Sequence, residues 1–100
     1  VLSSQKALKR AGINLEDIDI IEMNEAFAAQ SLACVKELGI DMSKLNVHGG
    51  AISLGHPLGA SGARITGKAA SLLQETGKRY ALSTMCVGGG QGCATVLERA

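Results

Sequence analysis

One hundred residues, 46% hydrophobic and 19% charged with a net charge of +1, make one domain at most, or a piece of one. So balanced a charge gives no electrostatic footprint for nucleic acid or an anionic membrane surface, and two aromatics, Phe27 and Tyr80, are too few for a base-stacking platform. No apolar run nears the ~20 residues of a membrane helix, and no signal-peptide pattern opens the chain.

Three cysteines, Cys34, Cys86 and Cys93, form no CxxC pair, and their odd count argues against a disulfide framework. Reduced thiols and a cytoplasmic location are the expectation. No metal is expected either, since neither the cysteines nor His48 and His56 stand at a compact zinc-ligand spacing. The chain opens at Val1 in what reads as the middle of a helix, without an initiator methionine. A segment of a longer protein is therefore expected.

Taken in order, Ser3 to Ala11 carries strong helix formers and Gly12 is a natural stop. Asp17 to Met23 alternates and is rich in isoleucine, which predicts a short strand. Glu25 to Leu38 reads as a helix with Asn24 as its N-cap, Glu25 at its positive end and Gly39 as its stop. Its apolar residues run round most of the circumference, so burial on nearly all sides is expected. Asp41 to Asn46 is a polar connection. A second long helix is predicted from near Gly59 to Thr76, ending at Gly77. Arg79 to Cys86 and Gly92 to Glu98 are strand candidates, joined by the glycine-dense turn Val87 to Gln91. The order predicts a layered α/β unit, a mixed sheet packed with helices, whose last two strands form an antiparallel hairpin. Three strands and an all-round apolar helix lack covering surface, so the cover must come from another half of the same protein or a partner subunit.

Residues 49–62, GGAISLGHPLGASG, hold the only proline and one of two histidines. Pro57 fixes its own φ and biases His56 toward extended geometry, while Gly55 and Gly59 allow sharp turns on either side. Such a mount would project the imidazole beside a helix start, where it can take a proton from a thiol or donate an N–H to a developing oxyanion. The overlapping stretch GARITGKA, Gly62 to Ala69, nearly fits a phosphate-binding loop. It fails where Ala69 replaces the metal-binding hydroxyl, and it falls inside a predicted helix. Nor does GGGQG make a dinucleotide fingerprint.

MCVGGGQG places Cys86 at a strand end before three glycines, whose free N–H groups would form an anion-binding concavity and lower the thiol's pKa. A cysteine there is a candidate nucleophile or acid/base. Cys34 and Cys93 read as inert core packing. NEAFA, Asn24 to Ala28, supplies an asparagine that either caps a helix or holds a water or substrate oxygen.

These three elements, in this order, resemble the C-terminal part of the thiolase family: its NEAF motif, its GGAxxLGHPxGxSG loop and its CxGGGxG motif. The resemblance covers essentially residues 1–100, which would make them part of a thiolase C-terminal domain, a layered half-domain lacking its N-terminal half. It implies reversible Claisen chemistry, in which 3-ketoacyl-CoA is cleaved by CoA or two acyl-CoA molecules condense, with no cofactor beyond the coenzyme A thioesters themselves. A nucleophilic cysteine in the N-terminal half becomes acylated. His56 matches the histidine that activates it and helps build an oxyanion hole, and Asn24 the asparagine anchoring a water there. Cys86 matches the acid/base acting at the acetyl α-carbon, and the Gly88 N–H serves a second oxyanion hole. Ala26 and Phe27 would line the pantetheine and acyl path. The implied partners are the acyl-CoA or CoA substrate, the N-terminal domain and further copies in a homodimer or tetramer; the segment alone would be inactive. His48 stands where many relatives have asparagine and reads as structural. A ketoacyl-ACP synthase relative is disfavoured by Cys86, and a non-enzymatic assembly module completing another half-domain is the alternative of a different class.

Overall fold

Three helices end where a glycine turns into the left-handed region: Gly12 at φ 72°, Gly39 at 72° and Gly77 at 70°. The computed structural model describes residues 1–100. The elements are α1 (Leu2–Ala11), β1 (Ile20–Met23), α2 (Ala28–Leu38), α3 (Ala51–Leu54), α4 (Ser61–Thr76), β2 (Tyr80–Cys86) and β3 (Gly92–Glu98), with 3₁₀ turns at Leu15–Asp17 and Met42–Lys44. The sheet order is β1-β2-β3, parallel between β1 and β2 and antiparallel between β2 and β3. The mixed sheet and closing hairpin agree with the sequence.

Alternation divides the sheet into two faces. Ile21, Met23 and Leu82 join Leu8 of α1 and Ile40 on one side, with Cys34, Val35 and Leu38 of α2 packed against them. Ile20 and Ala81 meet Ala69, Leu72 and Leu73 of α4 on the other. Fully burying a leucine contributes about 1.5–3 kcal/mol, so Leu72 and Leu73 alone fix which face α4 presents.

Several expectations are corrected. The first strand begins at Ile20, because Leu15–Asp17 coils into a 3₁₀ turn in which the Asp17 carboxylate accepts the Asn14 N–H at 2.9 Å. Asn24 does not cap α2. The helix begins four residues later, with extended Phe27 in the capping position, because the Asn24 N–H is held by the Thr84 carbonyl at 3.0 Å as β1 runs on past Met23. No residue of α2 is buried, and Leu32 is 61% exposed. The all-round apolar surface is present, but only one side of it meets this chain's own core. Cys93 is exposed rather than packed in the core, because β3 is an edge strand left largely open. The glycine loop contains one helical turn, α3, that periodicity could not register, and α4 starts at Ser61. The near phosphate-loop match lies within α4.

Candidate active site

β1 and β2 run parallel, so their C-terminal ends deliver Asn24 and Cys86 to the same end of the sheet. Both line a cavity of about 450 Å³ between the sheet, α1 and α2, together with Ser4, Ser31, Cys34 and Thr84. Its floor is tied down by the buried Ser4 hydroxyl, which donates to Thr84 Oγ1 at 2.9 Å. Asn24 is only 5% exposed, and neither its amide nitrogen nor its amide oxygen has a hydrogen-bond partner. A buried amide left without partners costs free energy comparable to a lost hydrogen bond at each atom. Such a group is set to bind something.

Past Cys86, Gly88, Gly89 and Gly90 follow one another at φ 87°, 58° and 71°, a run only glycine accommodates without strain. The turn is closed by the Val87 N–H on the Gln91 carbonyl at 3.1 Å and by the Gln91 N–H on Gly88 at 3.1 Å. The three glycine N–H groups find no acceptor within the chain. Gly90, Gln91 and Gly92 line the cavity; Gly88 stands outside its lining.

His56 lies after α3, half-buried, with Nδ1 at 2.6 Å from Ser61 Oγ. Ser61, fully buried at the start of α4, also has its hydroxyl 3.1 Å from the Pro57 carbonyl, so its proton can go to that carbonyl or to Nδ1; when it goes to Nδ1, the ring carries its own proton on Nε2. One imidazole nitrogen is thereby engaged and Nε2 is left for chemistry. His56 is outside the cavity's lining. Gly62, six residues on in α4, lies against the end of β2: a Cβ on it would sit 3.4 Å from the sulfur of Met85, the neighbour of Cys86. Ala26 is half-buried and Phe27 is 74% exposed, and neither lines the cavity. His48 is exposed in a turn and makes no hydrogen bond.

Sequence reasoning missed three supporting residues and one buried carboxylate. Asn46, at φ 46°, accepts the Met23 N–H on Oδ1 at 2.8 Å and donates Nδ2 to the Met23 carbonyl at 2.9 Å. Glu25 accepts the Ile52 N–H at 3.2 Å instead of serving the start of α2. Ser61 carries no signal beyond a hydroxyl five residues after the histidine. Glu22, 5% exposed on the α4 face, has its carboxyl pushed up by burial, against the pull of Lys68 and Arg64, with Glu25 adding to the rise. Its alternation with Ile20 marks that face in the sequence. No three His, Cys, Asp or Glu side chains gather closely enough to hold a metal ion. No helix is long and apolar enough to cross a membrane.

A family model described as the thiolase C-terminal domain matches residues 1–99. The chain is 59% identical over 102 residues to a 3-ketoacyl-CoA thiolase of Vibrio vulnificus (strain YJ016), covering 99% of this chain and 26% of that protein. To the 3-ketoacyl-CoA thiolase of Shewanella loihica it is 58% identical over 103 residues, covering 100% and 27%. The crystal structure of human mitochondrial 3-ketoacyl-CoA thiolase in complex with CoA superposes with a TM-score of 0.94 at 51% identity, over 96% of this chain and 24% of that one. The chain spans about a quarter of the length of the relatives it matches.

Proposed function

We infer, for a chain that belongs to the thiolase family and carries its C-terminal domain, that it supplies the proton-transfer and oxyanion-binding side of an acyl-CoA acyltransferase. The reaction is the reversible thiolytic cleavage of 3-ketoacyl-CoA by coenzyme A, or its reverse, the Claisen condensation. The observation that carries the reading is the buried Asn24 amide, with neither atom partnered, in one cavity with Cys86.

The residues divide the work as follows. In condensation, a cysteine outside these 100 residues holds the first acyl group as a thioester. The Cys86 thiolate takes an α-proton from the second acetyl thioester, and the resulting enolate carbon attacks the held acyl carbon, expelling the nucleophile's sulfur. In cleavage the proton on Cys86 returns to that carbon. An α-proton beside a thioester is far less acidic than a thiol, so the enolate oxygen must be stabilised as charge develops. His56 Nε2–H and the Asn24 amide, directly or through a water, are the donors for it, each worth about 3–4 kcal/mol in a dry site. The free N–H groups of the 88–90 turn, Gly88 among them, are offered to the second oxyanion, formed as the acyl group moves on and off the nucleophile. Ala26 and the exposed Phe27 ring, next along from Asn24, flank the path of the pantetheine arm.

The uncovered surface of α2 supports the rest of the protein as the missing cover, so catalysis belongs to the complete protein and not to these residues alone. The test is 3-ketoacyl-CoA cleavage by the full-length protein. His56→Ala and Cys86→Ala are each expected to lower kcat by about 10²–10⁴-fold. Full activity in both variants would overturn the assignment.

A further inference from the structure

We propose that Glu25 is a positioning residue for this site: its carboxylate fastens the loop carrying His56 to the strand end carrying Asn24. The proposal rests on the acyl-transfer reading above. Its first support is the bond from the Ile52 N–H to Glu25 Oε1 at 3.2 Å, joining residues 27 apart in sequence. Its second is the space made for that carboxylate. A Cβ on Gly50 would overlap Oε1 and Cδ of Glu25 and press on Asn46 Nδ2 at 2.9 Å. Gly50 has φ −138°, which any residue adopts, so it is the space and not the backbone that demands glycine here.

The tie is well placed to matter. Asn24 stands between two anchored neighbours: Met23, whose N–H and carbonyl are both held by Asn46, and Glu25, held to α3. From Ile52 the chain needs only four more residues to reach His56. Donors aimed at a developing oxyanion lose their effect when displaced by about 1 Å, which can cost up to 10²-fold in rate. Without the Glu25 tie, the nearest hydrogen bonds joining the two segments are those of Asn46 to Met23, ten residues before His56.

The experiment uses the full-length protein and steady-state 3-ketoacyl-CoA cleavage, at a temperature well below each variant's melting midpoint. Glu25→Ala is expected to lower kcat about tenfold with KM nearly unchanged, since losing one hydrogen bond is worth about a factor of ten. Glu25→Gln, whose amide oxygen still accepts the Ile52 N–H, is expected to keep kcat within about twofold of the original. Gly50→Ala, whose Cβ would displace the carboxylate and also press on Asn46 Nδ2, should be at least as slow as Glu25→Ala. Amide exchange at Ile52 gives a reading independent of activity: faster in Glu25→Ala and unchanged in Glu25→Gln. Wild-type kcat in Glu25→Ala, or a Glu25→Gln enzyme as slow as Glu25→Ala, would overturn the proposal. His56→Ala and Cys86→Ala in the same assay separate the failures. If both are inert while Glu25→Ala runs at full speed, only the positioning role falls; if both are fully active, the acyl-transfer reading falls.

Discussion

Replacing Asn46 tests how the strand end beneath the site is held. Its side chain makes two bonds to Met23, at 2.8 and 2.9 Å, and its backbone sits at φ 46°. Two net hydrogen bonds are worth about 1–3 kcal/mol together. Alanine at positive φ adds about 1 kcal/mol that glycine avoids. Asn46→Ala should therefore cost about 2–4 kcal/mol locally and Asn46→Gly about 1–3 kcal/mol. Native-state amide exchange at Met23 reads this directly, since each 1.4 kcal/mol is tenfold: about 30- to 1,000-fold faster in Asn46→Ala and roughly fivefold less than that in Asn46→Gly. Unchanged Met23 protection in Asn46→Ala would refute the clamp. Equal acceleration in the two variants would refute the backbone part of the estimate.

Two carboxylates should act in opposite directions with pH. Burial raises Glu22's carboxyl above its ordinary 4.5, so folding is favoured most below pH 4.5 and loses ground as pH rises through the folded value. Glu22→Gln should raise the melting midpoint at neutral pH and change little below 4.5; a lower midpoint at pH 7 would contradict this. At Asp19 burial pushes upward but is outweighed by the N–H groups of Tyr80 and Arg79 and by Lys44 and Lys78, leaving the carboxyl below 3.8. Its contribution is present above pH 3.8 and lost as pH falls through the lowered value, so Asp19→Asn should be destabilising at neutral pH and lose its effect in stronger acid. Ser61→Ala removes the partner of His56 Nδ1 and should lower kcat about tenfold with Ser61→Thr restoring it; an unaffected Ser61→Ala enzyme would show that the ring needs no such support.

What could be read in the sequence was local. The isoleucines of β1, the hairpin closed by consecutive glycines and the glycine stops of α1, α2 and α4 each follow from residues near one another in the chain. What escaped was set by distant partners. Asn24 looks like a helix cap, yet the Thr84 carbonyl, 60 residues away, holds it in line with β1 and moves the helix start to Ala28. The apolar circumference of α2 was legible, and so was the shortage of cover for it among these residues, none of which buries a residue of that helix. Cys93 looked like core because edge position is a property of the sheet and not of the strand's composition. Within the site, His56, Cys86 and Asn24 were visible as motifs. Glu25, Asn46 and Ser61 were not, because their roles depend on which backbone groups the fold brings to them.

The most direct test follows the acetyl α-proton. Full-length protein carrying Cys86→Ala, mixed with acetyl-CoA in D₂O, should lose deuterium incorporation into the acetyl methyl group by about 10²–10⁴-fold while still exchanging acetyl groups with free coenzyme A. Methyl exchange at the rate of the unaltered protein would contradict the role given to Cys86, and with it the account of how this domain works.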